Sequence, residues 1–143
     1  MPYNIRELKL EDLSTKSFFE TLSSLRPVED LSDSVVAEIF TTGLKQGIKI
    51  LVAEEDNFIV GTVRLFMEPK FYHGGQAVAH IEDVATHPAH FGKGIASILI
   101  KRAVEIAKEN NCYKVILDCL DEVVGFYEKL GFQKASNGLR LDI

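Results

Sequence analysis

At 143 residues, 46% of them hydrophobic, the chain has the size of one domain and enough apolar material for a full core. Its formal net charge of −5, with no run rich in lysine or arginine, argues against a general nucleic-acid binder, which needs a basic footprint on the phosphates. No apolar run approaches the length of a membrane span and Met1-Pro2-Tyr3-Asn4 lacks the charged-then-apolar order of a leader, so a soluble, cytoplasmic protein without a membrane partner is expected.

Tyr3 to Leu8 suits a first strand, anchored by Ile5 and Leu8. From Leu10 to Leu25 the residues Leu13, Phe18, Leu22 and Leu25 share a helical face, and Pro27 stops it. Ser32 or Asp33 caps a second helix reaching about Gln46, where Gly47 closes it. Ile48–Glu54 and Phe58–Glu68 form a hairpin around Glu55-Asp56-Asn57, with Gly61 a candidate bulge. A loop over 70–76 leads to a strand over 78–86, and a helix follows from Gly94 to about Asn110. Lys114 to Cys119 is apolar enough for a buried parallel strand, flanked by Cys112 and Cys119 as buried free thiols. A helix over 121–130 and short strands near 132–135 and 139–142 complete the order β-α-α-β-β-β-α-β-α-β-β, which is a mixed α/β (α+β) arrangement.

Chemistry concentrates between His80 and Ser97. Strand gives way to helix there through Pro88, Gly92 and Gly94, so that consecutive backbone N–H groups stand unobstructed at the positive end of a helix. Such a turn attracts phosphate, although glycines at a strand-to-helix junction also serve as plain punctuation. Glu82-Asp83 interrupts a β run with two carboxylates that propensity disfavours, either for a ligand or simply facing water. His73, His80, His87 and His90 show no metal-ligand spacing with a carboxylate or thiol partner, and no metal is implied.

Four segments carry a resemblance to the GCN5-related N-acetyltransferase (GNAT) superfamily over nearly the whole chain, and within it to the glucosamine-6-phosphate N-acetyltransferase group. Phe91-Gly92-Lys93-Gly94-Ile95-Ala96 is similar to the superfamily's [Gln/Arg]-x-x-Gly-x-[Gly/Ala] turn, with Phe91 where Gln or Arg is usual. His80-Ile81-Glu82-Asp83-Val84 resembles the group's His-Ile-Glu-Asp-Val stretch. Cys112-Tyr113-Lys114-Val115-Ile116-Leu117-Asp118-Cys119 and Gly125-Phe126-Tyr127-Glu128-Lys129-Leu130-Gly131-Phe132 resemble, respectively, a mark of that group and the superfamily's Phe-Tyr-x-x-x-Gly-Phe ending. Lys70-Phe71-Tyr72-His73 is similar to the group's Lys-x-Ile-His loop. Val123 stands where an Asn that contacts CoA is frequent, and Arg26-Pro27 where relatives carry a threonine.

The resemblance implies a fold of six to seven strands in a twisted, mostly antiparallel sheet with about four helices, splayed between the strands at 78–86 and 114–119 to admit acetyl-CoA. Cofactor contacts would come from Val84, Ala85, Thr86, Phe91, Gly92, Lys93, Gly94, Ile95, Ala96, Ser97, Cys119 and Tyr127. The amine acceptor, an amino-sugar phosphate by this likeness, would meet Lys70, Phe71, Tyr72, His73, Glu82, Asp83, Tyr113, Lys114, Arg26 and Arg140. A neutral amine would attack the thioester directly, a strand N–H would face the oxyanion, Tyr127 would protonate the leaving thiolate and Asp118 would help take the amine proton. A homodimer sharing the strand over 139–142 is also implied, and a monomeric peak in solution would count against that sharing. Two other readings stay open: a GNAT enzyme for another small amine or a protein N-terminus, and an acyl-CoA-binding module without catalysis, the latter suggested by Phe91 and Val123.

Overall fold

A computed structural model describes residues 2–143. Five strands lie in sequence order across one sheet: β1 (Asn4–Glu7), β2 (Ile48–Glu55), β3 (Phe58–Pro69), β4 (Ala77–Thr86) and β5 (Cys112–Ile116). The first three pairings are antiparallel and β4/β5 is parallel. That last pair needs a crossover, which α3 (Ile95–Glu109) supplies. Helices α1 (Lys16–Leu22) and α2 (Asp33–Lys45) pack on the opposite face, and α4 (Val124–Lys129) follows β5.

Alternation along the strands sorts the side chains into two cores. Leu51, Ala53, Val63, Leu65, Ala79 and Ile81 meet Ile95, Leu99, Ile100 and Ala103 of α3. Val52, Ile59 and Leu8 meet Phe18 of α1. Ser32 caps α2 as expected, its hydroxyl accepting the Val35 N–H at 3.3 Å.

Several elements differ from the sequence expectation. The first helix is broken: a 3-10 turn over Leu10–Ser14 ends where Thr15 is extended, and the hydroxyls of Ser14 and Thr15 bond back to the Glu11 and Asp12 carbonyls. The last helix likewise divides into a 3-10 turn, Asp121–Val123, and α4. The sheet has five strands rather than six or seven, because residues 132–135 and 139–142 find no ladder to join. Leu139, Leu141 and Ile143 stand fully exposed there. Strand β5 ends at Ile116, three residues before Cys119, and is a half-exposed edge instead of a buried strand, since only β4 pairs with it. Cys112 and Cys119 are free thiols as expected, yet neither is buried: Cys112 is half-buried and Cys119 exposed.

Gly61 is not itself the bulge. The β2/β3 register moves from Ala53↔Gly61 to Glu54↔Ile59, which leaves Val60 as the extra residue. A Cβ on Gly61 would overlap Ile95 Cγ2 and come within 2.9 Å of Leu99 Cδ1, so glycine is what lets α3 lie against β3.

Arg6 binds β1 to its surroundings. Its guanidinium donates to both oxygens of Asp12, at 2.7 and 2.9 Å, and also pairs with Glu54 on β2. Hydrogen bonding from Arg6 holds the Asp12 carboxyl below its ordinary value. A depressed carboxyl contributes stability that is present above its unfolded pKa, about 4, and is lost as pH falls through the lower folded value. Asp12→Asn is therefore expected to lose about 2 kcal/mol at neutral pH and progressively less as pH falls below the ordinary carboxylate range, measured by urea unfolding across a pH series.

Candidate functional site

The β4/β5 ladder runs from Ala77↔Cys112 to His80↔Ile116 and stops. Beyond His80, β4 continues to Thr86 with β3 on one side and, among the described residues, no paired strand on the other, so the backbone groups of this stretch along the β5 side have no ladder partner and could pair with a ligand. Within it the β3/β4 register jumps from Arg64↔Glu82 to Thr62↔Ala85, two residues of β4 opposing Val63 alone. Asp83 occupies the bulge with φ +49°, a conformation aspartate tolerates better than most residues. The bulge turns Val84 toward the α3-side core.

At the end of β4, Pro88–His90 form a 3-10 turn and Phe91, Gly92, Lys93 and Gly94 lead exposed into α3. Gly92 and Gly94 have φ of +78° and +79°, and a Cβ on either would meet nothing within 4 Å. The space in front of the turn is thus open, and positive φ is what the two glycines supply. The amides of Ile95, Ala96 and Ser97 precede the first α3 bond, Ile98 N–H to the Gly94 carbonyl at 3.2 Å, and so have no partner within the helix. Open strand edge and free helix amides together fit the pantetheine arm and pyrophosphate of a CoA thioester.

Tyr127 of α4 belongs to the α3-side core, 9% exposed, with its ring edge-on to Phe126 and Phe132 at 5.0 and 5.8 Å. Burial raises its phenol above the ordinary value, and the nearby Cys119 thiol adds to the effect. The hydroxyl therefore keeps its proton throughout the neutral range. Asp118 is exposed beyond the end of β5 and lies alongside Gly138 of the C-terminal tail.

Of the residues expected to meet the acceptor, the structure brings Lys70, Tyr72, His73, Tyr113 and Lys114 together. His73, at the tip of the 70–76 loop, stacks on Tyr113 with ring centroids 3.9 Å apart, and Lys114 Nζ lies 5.5 Å from the same ring. Lys70 Nζ sits 3.0 Å from Glu68, which His80 Nε2 also approaches at 3.2 Å. Hydrogen bonding to Glu68 raises the Lys70 ammonium and hydrogen bonding from Lys70, then His80, lowers the Glu68 carboxyl. Phe71 and Tyr72 project exposed from the loop. Glu82 is exposed on the face shared with His80, and Asp83 approaches Arg64 at 3.8 Å beside an apolar cavity of about 220 Å³ under α1 and α2. Among the described residues neither Arg26 nor Arg140 bonds to this group: Arg26 is exposed after α1, and Arg140 is engaged by Asp142 at 2.6 Å in the exposed tail.

The model of the acetyltransferase (GNAT) family matches residues 9–132. The chain belongs to that family. It is 40% identical over 141 residues to the glucosamine 6-phosphate N-acetyltransferase of Trypanosoma brucei brucei, covering 97% of this chain and 95% of that one. It is 42% identical over 134 residues to a probable glucosamine 6-phosphate N-acetyltransferase 2 of Oryza sativa subsp. japonica, covering 90% and 80%. Its fold superposes on the crystal structure of glucosamine-6-phosphate N-acetyltransferase from Arabidopsis thaliana with a TM-score of 0.91, 29% identity and 99% of both chains covered.

As a GNAT acetyltransferase, the protein uses acetyl-CoA, and its fold is the family's α+β arrangement with a five-stranded mixed sheet. Sequence reasoning missed three carboxylate partners of the histidines: Glu68 for His80, Glu20 for His87 and Glu55 for His90. Each pair is far apart in the chain, and no periodicity relates its members. It also missed Arg64, whose strand position gives no sign that the β4 bulge turns Asp83 toward it.

Proposed function

We propose that this acetyltransferase transfers the acetyl group of acetyl-CoA to the 2-amino group of glucosamine 6-phosphate. The observation that carries the reading is the joining of two features at β4. Its edge beyond His80 is unpaired, and its other end adjoins a cationic, aromatic loop cluster in a chain of net charge −5. The names of the 40% and 42% identical relatives point to the same acceptor.

Acetyl-CoA supplies an activated acyl thioester when bound. Amides of Gly92 to Ser97 hold its pyrophosphate, flanked by Phe91 and Lys93, and the backbone of Val84, Ala85 and Thr86 pairs with its pantetheine arm. Backbone N–H groups on that edge also suit a developing oxyanion. Tyr127, with Cys119 beside it, would hold the proton that the leaving thiolate takes up. Glu82 and Asp83 orient the sugar, while Lys70, His73 and Lys114 favour its phosphate. Asp118 takes part in removing the amine proton.

The alternating Leu139, Leu141 and Ile143, exposed and without a neighbouring strand, support a homodimer in which the tail, with Arg140, completes the partner's acceptor site. Incubation with acetyl-CoA and glucosamine 6-phosphate, followed by NMR of the product, is expected to show an N-acetyl group on C2. Thiol release without that product would reject the acceptor. Stabilisation by acetyl-CoA with no turnover on any amine would reduce the protein to a binding module.

A further inference from the structure

The segment that carries β4 into the glycine turn is held together by its own backbone. The His87 N–H donates to the Val60 carbonyl at 2.9 Å, the His90 N–H to the His87 carbonyl at 2.8 Å and the Phe91 N–H to the Pro88 carbonyl at 3.3 Å. From outside the turn, two polar side-chain pairs reach this segment, and the Phe58 ring packs edge-on to His87 with centroids 5.4 Å apart. His90 Nε2 lies 3.0 Å from Glu55 Oε2, at the end of β2, while His87 Nε2 lies 3.7 Å from Glu20, beyond hydrogen-bond length. Since a carboxylate only accepts, Nε2 of His90 carries the hydrogen. The His90 side chain is 17% exposed, and its Nδ1 is fully buried without a hydrogen-bond partner. A phenyl ring would fill the same space without that desolvation cost, so what the imidazole adds is its bond to Glu55.

We propose that His90 is a positioning residue for acetyl-CoA: its Nε2–H bond to Glu55 anchors the Phe91–Gly94 turn to the β2–β3 hairpin and so presets the amides that receive the pyrophosphate. The inference rests on the assignment of this turn to the cofactor. Two glycines at positive φ make the turn permissive, and residue 91 contributes an exposed phenyl ring and no charge. Affinity must then come largely from amides already in place, and ordering them upon binding would weaken it. His90 is the last residue before the permissive stretch, where an anchor has the most effect.

Calorimetric titration with CoA tests the proposal on the wild type, His90→Phe, His90→Gln, Glu55→Ala and the double variant His90→Phe/Glu55→Ala, each with its unliganded melting temperature. His90→Phe is expected to weaken binding about tenfold, the size of one hydrogen bond to a charged group. Glu55→Ala should match it, and the double variant should be no weaker than either alone. His90→Gln, whose amide N–H can replace Nε2–H, should stay within about threefold of wild type. In turnover assays the loss should appear in KM for acetyl-CoA and not in kcat at saturation. Wild-type affinity in His90→Phe, or losses in the two single variants that add in the double, would overturn the anchor. A wild-type protein that binds no CoA would overturn the turn assignment itself, and the anchor with it.

Discussion

Tyr127→Phe is expected to lower kcat roughly 10²-fold while leaving CoA affinity within about threefold, the pattern for loss of a positioned proton donor. The change removes one oxygen from a ring wedged between Phe126 and Phe132, so the packing that holds α4 is kept. The ring itself belongs to the α3-side core, and this gives the hydroxyl a fixed position. Burial raises its pKa, and a phenol that stays protonated in the neutral range is a competent acid toward a thiolate leaving group. Stopped-flow thiol release and calorimetry on the same preparation separate the two quantities. Unchanged kcat would remove Tyr127 from the chemistry, and a parallel loss of affinity would make it a binding residue only.

Gly61→Ala is expected to cost about 1–3 kcal/mol in unfolding free energy, the usual range for overpacking a filled core. The added methyl would overlap Ile95 Cγ2, a branch held close to the α3 backbone, as well as approach Leu99. Rotation of a side chain cannot relieve the first clash, because Ile95 is β-branched and 1% exposed. The N-terminus of α3 must move instead, and that end carries the free amides after Gly94. CoA affinity should therefore fall along with stability, by about tenfold or more. Ile95→Leu removes the offending branch, and in the Gly61→Ala background it should recover part of both losses. A Gly61→Ala protein with wild-type melting temperature and affinity would show that the helix is free to shift without consequence.

These two positions also show what a sequence can disclose. Tyr127 stands out only through the likeness of Phe126-Tyr127 and Gly131-Phe132 to the superfamily ending, whereas the strand-to-helix turn shows in the glycines at 92 and 94. Local patterns likewise placed α2 from its Ser32 cap and the β2–β3 hairpin from its turn residues. The clash that makes residue 61 a glycine depends on α3, more than thirty residues away, and appeared in the sequence only as a candidate bulge. The histidine–carboxylate pairs are equally non-local: Glu55 precedes His90 by 35 residues and Glu20 lies on α1. The terminal strands failed for a different reason. Leu139, Leu141 and Ile143 alternate as a strand should, but alternation gives only a face, and a strand also needs a neighbour with which to pair its backbone.

The acceptor site divides in the same way. Lys70, His73, Tyr113 and Lys114 come together, whereas neither Arg26 nor Arg140 bonds to them. Lys70 is held by Glu68, so a phosphate must compete with a carboxylate for its ammonium, leaving His73 and Lys114 to contribute the remainder. Recognition of the phosphate is thus the most exacting requirement on the proposed substrate. Comparing kcat/KM for glucosamine 6-phosphate with that for free glucosamine, at saturating acetyl-CoA, tests it directly. The expected preference for the phosphorylated sugar is about 10²-fold or more, the effect of two charge-assisted contacts. Equal values for the two sugars, or a higher value for an amine without phosphate, would contradict it.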